Sequence, residues 1–188
     1  MGVLDRVKNI FNEEIKTTSG IKLVTEQGEG FYSYNGNLYG SDIVRSCIRP
    51  KTQAIGKAVA KHIRKDETTT QVNPEVYIKF LLEEPNPYMS GQMLQEKLAN
   101  QLALNNNAFA LIQRNENGIA TAIYPINSTS VDALENKQGE IFLRFYLKGK
   151  FYTFRYSDII HLRRDYNSSD VFGENPAKAL TQLMDIIS

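Results

Sequence analysis

The sequence predicts an α+β domain in which N-terminal helices pack on one face of an antiparallel β-meander. Three observations carry this expectation. Apolar residues recur at helical spacing from Ile43 to about Leu104. After Asn105-Asn106-Asn107 the period drops from 3.6 to 2, with Phe109, Leu111 and Gln113 alternating against Ala108, Ala110 and Ile112. Helices precede strands instead of alternating with them, which argues against a doubly wound parallel sheet.

Taken in order, Val3, Leu4, Val7, Ile10 and Phe11 suit a short amphipathic helix over 3–15. Its face is short and carries little excess positive charge, so it is expected to dock on protein and not on a membrane. From Thr17 to Gly40 glycines punctuate a polar stretch with Phe31, Tyr32, Tyr34 and Tyr39, read as an extended arm with at most a small hairpin at Asn35-Gly36. Ser41 or Asp42 then caps a helical pattern through Ile43, Val44, Cys47, Ile48, Ala54, Ile55, Ala58, Val59 and Ile63, which Pro50 should kink or split. Asn73-Pro74 reads as a cap and first-turn proline for a helix carrying Val76, Tyr77, Phe80 and Leu81, which must stop before Pro85-Asn86-Pro87.

Ser90 caps the next helix, with Met93, Leu94, Leu98, Leu102 and Gln101 assigned to its inward face. Asn117-Gly118 turns the first strand into a second over Ile119–Tyr124. Further strands are expected at Ser130–Leu134, Ile141–Leu147, Phe151–Tyr156 and Ile159–Leu162, with Lys148-Gly149-Lys150 between the middle pair. Asn175-Pro176 opens a last helix whose apolar stripe still runs at Ser188, as in a truncated helix. The expected division is an N-terminal helix and arm (1–40), an α+β domain (41–174) and the start of a helix (175–188).

The 188 residues suffice for one domain with a real core. With 41% hydrophobic and 23% charged residues, wholesale disorder is excluded, and a formal net charge of +1 advertises neither nucleic acid nor membrane. One cysteine, Cys47, allows no intrachain disulfide, and no leader-like apolar run opens the chain, so a cytosolic chain is expected. No stretch approaches the roughly 18–20 apolar residues of a membrane helix.

The searches for chemistry fail for stated reasons. Gly56-Lys57 is no phosphate loop, because Lys51 stands where the first glycine belongs and Ala58 where a hydroxyl must bind Mg²⁺. Gly28-Glu29-Gly30 begins a dinucleotide fingerprint but ends in Ser33 with no strand before it. Two histidines and one cysteine cannot assemble a zinc set. His62 is assigned to the basic surface of its helix, His161 to a satisfied position at a strand end, and Cys47 to the apolar stripe as a small hydrophobe. No catalytic residue, metal or cofactor is expected.

The one concentration of charge is Arg45, Arg49, Lys51, Lys57, Lys61, Arg64 and Lys65 against Asp42 alone. Arg45, Arg49, Lys57, Lys61 and Arg64 are candidate phosphate or subunit contacts. A nucleic-acid-binding module using the basic helix 43–65 is the alternative function, but no stacking aromatics are interleaved there, and a solvated face or acidic partner accounts for the charges more economically.

Five short motifs in order resemble the portal, or head-to-tail connector, protein of tailed bacteriophages and prophages, of the long-tailed siphovirus type. They are the helix from Ser41; Leu81-Leu82 before Pro85-Asn86-Pro87; Asn106-Asn107-Ala108-Phe109 at a strand start; Asp158-Ile159-Ile160-His161-Leu162-Arg163; and Gly173-Glu174-Asn175-Pro176. The resemblance spans roughly 41–187. Asn106 replaces the usual glycine, Phe109 a tyrosine and Asn175 a serine. The first bears on the local backbone, because Asn tolerates left-handed φ less freely than Gly.

The resemblance implies a structural role for Pro85, Asn86, Pro87, Asn107, Ala108, Phe109, Gly173 and Pro176 as backbone stops, turns and caps. It also implies rings of about twelve subunits at one capsid vertex, through which a terminase motor packages DNA that is later ejected. Capsid and head-completion proteins are implied partners, the virion and the host cytoplasm during assembly the implied locations, and an outward-facing wing the implied part of the molecule. The N-terminal helix and the arm from Phe31 to Tyr39 are the candidate subunit contacts.

Overall fold

The change of period at Asn107 marks a change of layer. The computed structural model describes residues 22–23, 31–33, 41–128, 130–165, 171–174 and 176. The helix expected at 3–15, the Asn35-Gly36 hairpin, most of the arm and the helix from Asn175 lie outside the described residues.

Within the stretch read as arm, two short strands, β1 (Lys22–Leu23) and β2 (Phe31–Ser33), pair with a later strand. Next comes helix α1 (Asp42–Gly56), whose inward side is Val44, Ile48, Thr52 and Gly56. It ends well short of Ile63, correcting the single helix expected to that point. A Cβ on Gly56 would collide with the Glu96 side chain, and Lys57 and Ala58 close the last turn on the Gln53 and Ile55 carbonyls. Beyond it the β-branched residues Ile63, Thr70 and Val72 take up an exposed ribbon of β3 (Ile63–Lys65) and β4 (Thr70–Val72). Pro50 does not split α1. It sits on the exposed side, where its missing N–H forfeits one backbone bond and the carbonyl left behind can face solvent. Val44 and Ile48 of the expected apolar pattern face inward, whereas Ile43 and Cys47 are exposed, so Cys47 is not the packed small hydrophobe expected from the sequence.

Asn73 also departs from expectation. It is left-handed (φ 52°) and closes the ribbon, exchanging bonds with His62 through its N–H (2.6 Å) and its Oδ1 (3.1 Å). Helix α2 (Val76–Glu83) therefore starts after Pro74 with Glu75 at its cap, and it ends before Pro85. In helix α3 (Gly91–Asn105) Ser90 Oγ accepts from the Met93 N–H, and Leu94, Leu98 and Gln101 are buried, whereas Met93 points out.

The strands fall into two stacked sheets where the sequence suggested one meander. β5 (Asn107–Arg114) pairs antiparallel with β6 (Ala120–Ile126) and with the last strand, giving the first sheet. β7 (Ser130–Glu135), β8 (Ile141–Leu147) and β9 (Lys150–Arg155) form the meander of the second, joined between β8 and β9 by Lys148 (φ 47°) and Gly149 (φ 83°). β1 and β2 lie along the other edge of β7. After a 3-10 turn at Tyr156–Asp158, β10 (Ile159–Arg163) returns to pair with β5.

β5 explains the layering, since it is buried on both faces. Ala108 and Ala110 face Leu94 and Leu98 of α3, where small side chains let the helix approach. Phe109 and Leu111 face the other way, into a core with Val131, Ala133, Leu143 and Phe145 of the second sheet. A strand apolar on both sides demands a layer on each, so the domain is helices on sheet on sheet. The α+β class of the sequence reading holds.

Candidate functional site

The described residues show no constellation for chemistry; they show a polar joint buried among apolar layers. α3 ends at Asn105, and Asn106 caps it in the left-handed region (φ 54°, ψ 9°). That is the conformation for which glycine is the usual choice. Here Asn106 offsets the backbone cost by donating from Nδ2 to Glu174 O (2.9 Å) and Asp165 Oδ2 (3.2 Å).

The next residue, Asn107, is 1% exposed and is the centre of the joint. Its Nδ2 donates to Gly173 O (2.8 Å) and Asn105 O (3.1 Å), and its Oδ1 accepts from the Gly173 N–H (2.8 Å). Both backbone groups of one glycine are thus clamped by one amide, as a strand partner would clamp them. The glycine is sterically required, because a Cβ there would collide with the carbonyl oxygens of Arg164 and Asn106. Backbone bonds from Arg164 N–H to Asn106 O (2.9 Å) and from Glu174 N–H to Asp165 O (2.7 Å) complete the joint.

His161 belongs to the same cluster. Its Nε2 lies 3.0 Å from Asn107 Oδ1, and that oxygen can only accept, so Nε2 carries the proton and Nδ1 accepts from the Tyr156 hydroxyl at 3.1 Å. The ring stacks on Phe109 at 4.5 Å, and Phe172 packs at 5.9 Å. Burial, with the Arg163 charge as a smaller cause, lowers its pKa from 6.5 to about 4, so the ring is neutral at physiological pH. A neutral imidazole with both nitrogens engaged is a structural element, not a free base.

A second asparagine works the same way at a different edge. Asn86 Nδ2 donates to Ile123 O (2.7 Å) while the Ile123 N–H donates to Pro85 O (2.7 Å), so the turn between α2 and α3 covers the free edge of β6. Asn86 Oδ1 also accepts from the Tyr88 N–H (3.0 Å). Pro85 is fully buried and Pro87 exposed.

Of the residues singled out in the sequence, the structure brings together Asn107, Phe109 and Gly173. Ala108 lies on the opposite face of β5, Pro85, Asn86 and Pro87 form the separate staple, and Pro176 is half-buried beyond the joint. Asn106, Asp165 and His161 were not singled out as site residues; the sequence marked Asn106 only for its backbone and His161 only as a satisfied strand-end residue, since their partners are up to 68 residues away. The basic residues do not share one helix. Arg45 and Arg49 lie on α1 and Arg64 on the ribbon, with Lys57 and Lys61 between; all are exposed, Arg45 pairs with Asp42 and Arg64 with Glu75. His62 leaves the helix too, with Nδ1 2.8 Å from Glu75 Oε2. No group of three His, Cys, Asp or Glu among the described residues could hold a metal, and no helix among them is long and apolar enough to cross a membrane.

Comparison with known proteins places this architecture. The chain is 31% identical over 80 residues to the portal protein of Enterobacteria phage HK97, a match covering 42% of this chain and 18% of that one. In three dimensions it is similar to a chain in the neck of an empty gene transfer agent particle computed with C6 symmetry (TM-score 0.65, 19% identity), covering 79% of this chain and 40% of the other. A neck of the native particle computed with C12 symmetry gives a TM-score of 0.62 at 18% identity, over 79% and 39% of the two chains. The chain therefore spans less than half the length of these relatives. The profile of the phage portal protein family matches residues 42–187, from the start of α1 through the asparagine clamp and beyond Pro176. With more than half of its length inside that match, the chain belongs to the phage portal protein family.

Proposed function

We propose that this chain is a structural part of a portal ring at the capsid vertex, through which DNA is packaged and ejected, and that it performs no catalysis. The family match over 42–187 carries the reading. The layered fold supports it, being shared with neck chains of particles computed with sixfold and twelvefold symmetry. The joint fits a scaffold role: its one histidine is neutral and fully engaged, and the Asn106 and Asn107 amides bind backbone groups of neighbouring segments.

On this reading residues 41–174 are the wing-like domain, 1–40 an N-terminal appendage and 175–188 the start of a helix leading onward. The implied partners are further copies in a ring of about twelve, the terminase motor, capsid and head-completion proteins, and the DNA in the channel, with no membrane. The implied location is the virion, and the host cytoplasm during assembly. Light scattering on this chain beside the full-length protein tests the reading. A mass near twelve subunits for the full-length protein supports it; a monomer across protein concentration and salt refutes it. Nothing in the structure favours the nucleic-acid module.

A further inference from the structure

Helix α1 is apolar on two opposite sides. At about 100° per residue, Val44, Ile48, Thr52 and Gly56 make the packed side. Ile43, Cys47, Pro50 and Ala54 fall within about 60° of one another on a second stripe along the helix, and all four are exposed, Ile43 by 53%. A surface helix needs one apolar stripe and a polar back, so this second stripe is left over. α2 shows the same surplus: Val76, Tyr77 and Phe80 share its outer face and are 62%, 51% and 59% exposed. Contiguous aromatic and aliphatic surface of this kind marks an interaction site.

Charge and placement indicate what covers these faces. Lys51 and Lys57 flank the α1 stripe and have no ion-pair partner among the described residues. On the α2 side Glu83 lies on the same face as Val76 and Phe80, its ion pair among the described residues being a long one to Lys79 at 3.9 Å, and Glu84 follows it exposed. Both helices rest on α3, but on different flanks. Gly91 abuts the Leu82 backbone of α2, whereas Glu96, about 140° further round α3, abuts Gly56 of α1. Two different, complementary patches on separate flanks make a head-to-tail contact that can repeat round a ring, whereas one patch meeting itself stops at a dimer.

Resting on the ring reading above, we propose that the exposed α1 stripe of one copy seats the outer face of α2 of the next, with Lys51 and Lys57 meeting Glu83 and Glu84.

Disulfide trapping tests this directly, since Cys47 lies in the middle of the stripe. In full-length protein with Cys47 as its sole cysteine, Val76→Cys, Tyr77→Cys or Phe80→Cys is introduced in turn and the protein is oxidised with copper phenanthroline. At least one position is expected to give a reductant-sensitive ladder of dimers, trimers and larger species, because every copy carries both ends of the contact. Cys47 alone, and each new cysteine combined with Cys47→Ala, is expected to give none. Lys51→Glu with Lys57→Glu should abolish the ladder, and adding Glu83→Lys with Glu84→Lys should restore it. A ring-sized mass by light scattering with no ladder at any of the three positions overturns the proposed surface while the portal reading stands. A dimer band from Cys47 alone overturns it in favour of a two-fold contact. Absence of any ring overturns the portal reading and this contact with it.

Discussion

Replacing Asn107 by alanine removes one small side chain and leaves several buried groups unpaired. The Gly173 N–H and C=O each lose their partner in the clamp, the His161 Nε2–H loses its acceptor, and Asn105 O loses one donor. An unsatisfied buried polar group costs roughly 1–3 kcal/mol, so the first three alone put the expected loss at about 3–9 kcal/mol. Against a total of about 5–15 kcal/mol for a folded domain, that is a large fraction from a single residue. Urea unfolding followed by circular dichroism measures it. With a slope of about 2 kcal/mol/M, a loss of about 4 kcal/mol lowers the midpoint by roughly 2 M. Asn107→Asp should fare little better at neutral pH, because a carboxylate cannot donate to the Gly173 and Asn105 carbonyls. An Asn107→Ala loss below about 1 kcal/mol, the size of one ordinary exposed contact, would refute the assignment of the joint to this amide.

Further predictions concern the same cluster. His161 has a folded pKa below its unfolded value, so its neutral form stabilises the fold fully above about pH 6.5, and that contribution is lost as pH falls toward 4. The maximum loss is about 3 kcal/mol at 1.36 kcal/mol per unit, and urea midpoints of a His161→Phe variant should show a flatter pH dependence between 6.5 and 4 than wild type; equal slopes would exclude His161 as the source. Gly173→Ala drives a Cβ into two backbone carbonyl oxygens, where no side chain can give way. It should lower the thermal midpoint more than the typical overpacking cost of about 1–3 kcal/mol. At Asn106 (φ 54°) alanine should be worse than glycine by about 1 kcal/mol, and equal stability of the two variants would show that the left-handed cap is not maintained.

Some of this was open to a reading of the residues and some was not. The alternation along β5 is legible because Ala108 and Ala110 differ so much in volume from Phe109 and Leu111. The stacking of two sheets is not, because a strand apolar on both faces does not say whether helix or sheet covers each side. The end of α1 was hidden by coincidence: Ala58, Val59 and Ile63 continue its apolar spacing although they belong to a turn and a ribbon strand. Which stripe of α1 faces inward is decided by Thr52 and Gly56, two residues a hydrophobic count ignores, and the better hydrophobes Ile43 and Cys47 stay outside. The portal-like motifs pointed to Asn86, Asn107 and Gly173. Spacing alone could not pair Asn107 with a glycine 66 residues away.

The chemistry of the joint bears on what it does. Apolar burial is non-directional, so the contacts of Phe109, Phe145 and Phe172 hold the layers together without fixing an angle between segments. Hydrogen bonds to both backbone groups of Gly173 are directional, and they are made where the stretch 105–109 meets 161–165 and 171–174, more than 50 residues further along the chain. Past them the chain runs on into the rest of the family match, to residue 187. On the proposed ring reading, an error in the direction in which each chain leaves its domain would recur at every subunit and prevent closure. An apolar plug at Asn107 could restore stability without restoring that direction. Asn107→Leu, recovering part of the urea midpoint lost in Asn107→Ala, is therefore expected to leave full-length protein short of the ring mass that the proposed function expects for wild type. A Leu variant that assembles normally would show that packing alone sets the exit and that the clamp serves stability only.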